Sequence, residues 1–198
     1  MSKLVLKEKL FLKIGYNYFM KLITKIILIL TLSITYSYSA CNFKAELGIK
    51  RAEFESKEIV GAPLPGEYGN LDFYGILAED ICPEQNLKDI AIEYKFLNDE
   101  LIAINLIALN DETNSVSEKL TLMNYMKKNY GQFDTTQNPK SFTGYEIVDK
   151  SNKFIVYQRI PNDQGVIDEQ IYISTPKLDE KLMKYMQDME MQVMKDSQ

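Results

Sequence analysis

Between residues 70 and 109 apolar and polar positions alternate with a period of two, the mark of strands with one buried face. Leu71, Phe73 and Ile76 predict a strand ending near Ala78, with Cys82-Pro83 as the turn after it. Ile90, Ile92, Tyr94 and Phe96 alternate with polar neighbours, Asn98-Asp99 supplies turn residues, and Leu101 to Leu109 is apolar on both faces. These runs predict a hairpin with one half-buried strand and one central strand. The period then changes. Ser115-Val116-Ser117-Glu118 is a capping box, Leu120, Met123, Met126 and Tyr130 follow at helical spacing, and Gly131 is a stop. The spacing predicts an amphipathic helix of about four turns.

A second pass repeats the order. Tyr145 to Val148 and Phe154 to Ile160, joined by a turn at Lys150 to Asn152, predict another hairpin. Pro161 to Gly165 turns the chain into a strand from Val166 to Ile173. Thr175 as N-cap and Pro176 at the first helical position then open a final helix through about Val193. The stretch from Glu118 to Met126 is echoed by Glu180 to Met186 with a gap shifted by two residues, which reads either as a diverged duplication or as chance. Upstream, Phe43, Ala45, Leu47 and Ile49 alternate like a short strand, Arg51 to Glu58 suits a helical turn or two, and Gly61 to Gly69 reads as a surface loop. The fold class expected is α+β: a mostly antiparallel sheet of about six to seven strands, with two amphipathic helices on one face, arranged as two diverged ββα-type units if the echo is real.

The first 40 residues do not belong to this pattern. From Met20 a basic stretch with Lys21 and Lys25 precedes an apolar run, Ile26 to Thr35, and a tail of small residues ends at Ala40. That is the layout of an export signal. The run is about ten residues long, against the roughly 20 that cross a bilayer, so a retained anchor over Leu22 to Tyr38 is the competing reading. Met20 begins a complete signal and is the start favoured here. Residues 41–198 are then a single domain, of a size that buries about 70% of the unfolded surface.

Removing the basic leader changes the charge. The whole chain carries a net charge of -5, whereas residues 41–198 hold 17 basic and 27 acidic side chains and stand at -10. Such a body is repelled by phosphate backbones and anionic headgroups, so no nucleic-acid partner is expected, and a membrane only through a retained anchor or a lipid. There is no His, which excludes Ser-His-Asp and Cys-His catalysis and His-ligated metals.

Cys41 and Cys82 are the two cysteines, and two in an exported chain are most simply a disulfide. Closing the intervening loop is worth on the order of 4 kcal/mol in the chain-entropy model. The alternative rests on cleavage after Ala40. Ser39-Ala40-Cys41 resembles a lipobox, with Tyr38 where that motif usually has Leu, and would leave Cys41 lipidated and Cys82 free.

Other candidate chemistry is sparse. Five of the nine methionines, at 183, 186, 189, 191 and 194, fall in the final helix, and Met183, Met186 and Met189 at successive i, i+3 positions offer thioethers to Cu(I). The competing account is core filling or an adaptable partner surface. Ser174-Thr175-Pro176-Lys177 matches an S-x-x-K pattern but lacks its companion motifs, and a helix cap explains it. The acidic pairs Glu79-Asp80, Asp111-Glu112, Asp168-Glu169 and Asp179-Glu180 are adjacent, so on a strand their carboxylates point to opposite faces. The tyrosines read as half-buried sheet residues or as an aromatic recognition face. No cofactor is implied. The expectation is an exported, periplasmic or secreted, non-catalytic binding protein of the bacterial envelope. Its acidity favours an inhibitor or immunity-type role against an envelope or extracellular protein, with Cu(I) handling as the alternative.

Overall fold

The computed structural model describes residues 40–57, 61–64, 69–109, 119–135, 138–163 and 165–196. The export segment and the Ser115–Glu118 capping box lie outside the described residues. The elements in order are α1 (Arg51–Glu55), β1 (Ala62–Leu64), β2 (Leu71–Leu77), α2 (Ala78–Ile81), β3 (Ile90–Leu97), β4 (Glu100–Ala108), α3 (Thr121–Asn129), β5 (Gly144–Lys150), β6 (Lys153–Pro161), β7 (Ile167–Ser174) and α4 (Pro176–Asp196). The seven strands form one antiparallel sheet in the order β1-β2-β3-β4-β7-β6-β5. The α+β class read from the sequence is the architecture observed. Its most apolar run, β4, is the central strand, because only a strand flanked on both sides and covered on both faces can bury side chains in both directions.

Alternation divides the sheet into two faces. One, the packed face, carries Ile92, Tyr94, Phe96, Ile104, Leu106, Tyr157, Ile171 and Ile173 into the main core, together with Leu122, Met123, Tyr125 and Met126 of α3 and Phe54 of α1. The second face carries Ile102, Leu71 and Leu97 into a smaller core with Leu178, against which Leu182, Tyr185 and Met186 of α4 pack. The two long helices therefore lie on opposite faces, which corrects the expectation that both share one. The start of each helix is anchored to its own side: the Met123 amide of α3 donates to Glu169 (3.1 Å) on the Leu106–Ile171 side, whereas Ser174, just before α4, donates its hydroxyl to the Ile102 carbonyl (2.6 Å) on the other.

The duplication is corrected in the same way. Each unit is a three-stranded meander followed by a helix, β2-β3-β4-α3 and β5-β6-β7-α4. A dyad relating antiparallel β4 and β7 would stand perpendicular to the sheet and place both helices on one face; it does not relate these units.

Two local expectations also change. Phe43 to Ile49 forms turns, with Phe43 and Lys44 left-handed (φ 56° and 50°) and one isolated bridge at Lys50–Glu100. Cys41, Phe43 and Ala45 are still buried in alternation, because the segment is pinned at both ends: the Cys41 disulfide and the Tyr94 hydroxyl, which donates to the Phe43 carbonyl (2.8 Å), hold its start, and the Gly48 amide donates to the Leu101 carbonyl (2.8 Å). Within the Gly61–Gly69 loop, Ala62–Leu64 pairs with β2 as an edge strand. Pro63 is tolerated there because an edge strand need not donate from every amide.

Candidate functional site

The path of α4 defines the site. It leaves β7 with Thr175 Oγ1 accepting from the Leu178 amide (3.2 Å), the N-cap read from the sequence. The Tyr172 hydroxyl donates to Asp179 (2.7 Å), Lys181 pairs with Glu100 at the start of β4 (2.6 Å), and the Tyr185 hydroxyl accepts from the Asn70 amide at the start of β2 (2.9 Å). The helix thus crosses one end of the second face, from β7 over β4 and β3 to β2. Among the described residues the other half of that face carries no helix.

The register shows what lies on the open half. One cross-strand row runs through Ile147, Val156, Tyr172, Asn105, Glu93 and Gly75. The next row, farther from α4, runs through Tyr145, Gln158, Gln170, Ile107, Ala91 and Leu77. At the centre is a polar seam. Asn105 Nδ2 donates to Glu93 Oε1 (3.2 Å), Lys95 pairs with the same oxygen (3.3 Å), and the Lys95 ammonium stands 5.7 Å from the centroid of the Phe73 ring. Asn105 is only 4% exposed and its Oδ1 has no hydrogen-bond partner among the described residues, an arrangement that costs stability. The ends of the face are apolar. The large apolar side chains exposed on described strands are Leu64, Leu77, Tyr145 (66%), Ile147 (52%) and Ile160, and the register sends all of them to this second face.

Chemically the face offers aliphatic and aromatic surface around the Glu93–Lys95 ion pair and the amides of Asn105, Gln158 and Gln170. The arrangement suits recognition of a chain with matching apolar and hydrogen-bonding groups.

The residues singled out in the sequence fall elsewhere. Cys41 and Cys82 form a disulfide with Cα atoms 5.8 Å apart, buried on the packed face, where the Cys41 amide donates to the Tyr125 hydroxyl (3.1 Å). A sulfur in that bond cannot also carry a thioether lipid, so the paired reading of Cys41 stands in this structure. Met186 and Met189 line a groove of about 420 Å³ with Glu190, Val193 and Met194; Met183 is exposed and is not part of its lining. Ser174 is fully buried with its hydroxyl committed to Ile102, which removes it as a nucleophile. Asp168 and Glu169 point to opposite faces as expected, but Glu169 has an unforeseen role. It is buried on the packed face and accepts from the Tyr157 hydroxyl (2.6 Å) and the Met123 amide (3.1 Å), replacing the side-chain cap that α3 lacks. Burial pushes its carboxyl above the usual range, against the opposing pull of those hydrogen bonds and of the nearby Arg159 charge. Arg159, itself fully buried, donates to the Lys140 and Phe142 carbonyls (both 2.7 Å).

Among the described residues there is no group of three or more His, Cys, Asp or Glu placed to hold a metal ion, and no helix long and apolar enough to cross a membrane. No protein-family model, curated protein or solved structure matches this chain.

Asn105 was missed in the sequence because it interrupts a run, Leu101 to Leu109, that reads as central-strand core. Its signal was that single polar side chain amid eight largely apolar neighbours. Glu169 was missed because a helix cap supplied from a strand 46 residues away leaves no local spacing to find.

Proposed function

We propose that this protein is an exported, non-catalytic binding module of the bacterial envelope, which engages another protein through the open half of its sheet. The observation that supports the reading is the segregation of exposed strand hydrophobics to that one face. A monomer with no partner gains nothing by gathering Leu77, Tyr145, Ile147 and Ile160 on one side, and such patches mark interaction surfaces. The net charge of -10 on residues 41–198 steers basic partners to it, which fits an inhibitor or immunity-type role. The disulfide fits an oxidising, extracytoplasmic compartment.

The test compares tagged wild type with Leu77→Lys and Ile160→Lys, both exposed positions, and with Lys184→Glu on the outer side of α4, each recovered from the envelope fraction. The reading requires a partner that wild type and Lys184→Glu retain and both sheet variants lose. Retention of every captured protein by the sheet variants would remove it.

A second reading has one observation behind it: Met186, Met189 and Met194 share a groove, and thioethers select Cu(I). Under it, Cu(I) kept reduced with ascorbate raises the melting temperature, and the rise disappears in Met186→Leu/Met189→Leu. An unchanged melting temperature would dispose of it.

A further inference from the structure

The sheet ends differently at its two edges. β1 is three residues long and contains Pro63, devices that discourage further pairing. β5 is seven residues long, holds no proline, and pairs with β6 in an unbroken register from Gly144–Arg159 to Lys150–Lys153. The turn between them has two residues, Ser151 and Asn152, both left-handed (φ 53° and 61°), as in a type I′ hairpin. Such a turn makes its flanking pair, Lys150 and Lys153, a hydrogen-bonded one. Alternation then commits the amides and carbonyls of Val148 and Glu146 to β6 and leaves those of Tyr145, Ile147 and Asp149 pointing outward. Beside these free groups stand the exposed side chains of Tyr145 and Ile147.

We propose that β5 pairs with β5 of a second copy of this chain, antiparallel and centred on Val148. The sequence of the strand is self-complementary in that register. Ile147 of each copy exchanges main-chain hydrogen bonds with the other copy's Asp149, giving about four in all. Val148 meets its own counterpart, and Glu146 lies directly opposite Lys150 at both ends, so two opposite-charge pairs close the seam. Lys150 Nζ already donates to the Asn129 carbonyl (2.7 Å), and an ammonium has three donors to share. The two Asp149 carboxylates sit diagonally across the axis on the second face, in water, where repulsion is screened. The dyad is perpendicular to the sheet, so the open halves of both copies fall on the same side and form one continuous face. The inference stands on the edge strand alone and does not require that face to bind anything.

The test is sedimentation velocity over a wide concentration range on the protein as the cell processes it, with its disulfide intact. Wild type sediments as a reversible dimer. Glu146→Lys and Lys150→Glu each place like charges opposite one another twice and weaken the dimer about tenfold, whereas the double variant exchanges the partners and restores it. Because Lys150 also touches α3, each variant is checked for a wild-type melting transition. Ile147→Pro serves as an independent probe: it removes an amide that points outward, leaves the β5–β6 ladder intact, and abolishes the dimer. A wild type that stays monomeric, a dimer indifferent to the single charge reversals, or a double variant that is no better than the singles overturns the proposal.

Discussion

Gly69 and Tyr185 meet where α4 completes its path across the sheet. The Tyr185 hydroxyl accepts from the Asn70 amide at 2.9 Å, and a Cβ added at Gly69 would stand 2.6 Å from that same hydroxyl oxygen. Gly69 is also left-handed, with φ 58°, so an alanine there suffers both a steric and a backbone penalty. Gly69→Ala is expected to lose about 1–3 kcal/mol of unfolding free energy. In the Tyr185→Phe background, where the oxygen is gone, the same change costs less. Equal costs in the two backgrounds, measured by a denaturant double-mutant cycle, would show that the contact is not what sets the glycine.

Asn105 stands at the centre of the open face with a buried side-chain carbonyl that no described residue pairs. Leucine matches its shape without that cost. Asn105→Leu is expected to raise stability by about 1 kcal/mol, while weakening whatever partner the face holds, because Glu93 then loses its amide neighbour. Thermal denaturation of the purified variant checks the first part, and a fall in melting temperature would contradict it.

Glu169 predicts a pH dependence with a definite sign. Its folded-state value lies above the unfolded one, so the native state holds the proton more tightly. The associated stability is present in full below the ordinary carboxyl value of about 4.3 and is lost as pH rises through the raised value. Glu169→Gln keeps an oxygen for the Tyr157 hydroxyl and the Met123 amide but cannot ionise. Denaturation curves from about pH 4 to 8 should show wild type losing ground to the variant as pH rises. A difference that is flat across that range would contradict the assignment.

The Cys41–Cys82 bond joins residues 41 apart in sequence. Replacing both with serine is expected to cost about 4 kcal/mol. The loss falls first on the segment from Asn42 to Leu47, one wall of a groove of about 420 Å³ whose floor includes Ile104 and Ile173. Hydrogen exchange at the Phe43 and Gly48 amides reads this directly. Protection equal to wild type at both would show that packing, and not the bond, holds the segment.

Period and turn chemistry carried most of the architecture. Ile90 to Phe96, the left-handed Asn98-Asp99 pair and the Thr175-Pro176 cap are local signals, and each is where the sequence placed it. What was illegible is the side of the sheet each helix takes, since Leu122 and Leu178 look alike in a pattern and are sorted only by their long-range packing partners. The open face was illegible for a related reason. Tyr145 reads with the other tyrosines as a half-buried sheet residue or part of an aromatic recognition face, and Ile147 only as part of a strand; alternation alone does not say which face of that strand a helix covers. The cysteines were legible as a pair because the chain offers no third thiol.

The central claim is that the open half of the sheet meets another protein. Photoreactive residues placed singly at Leu77 and Gln158 on that face, and at Asn124 on the exposed side of α3, test it in the intact cell. The account predicts one common cross-linked species from Leu77 and Gln158, of a mass other than twice that of the chain, and none from Asn124. Cross-links from Asn124 alone, or no species shared by the two sheet positions, would contradict it.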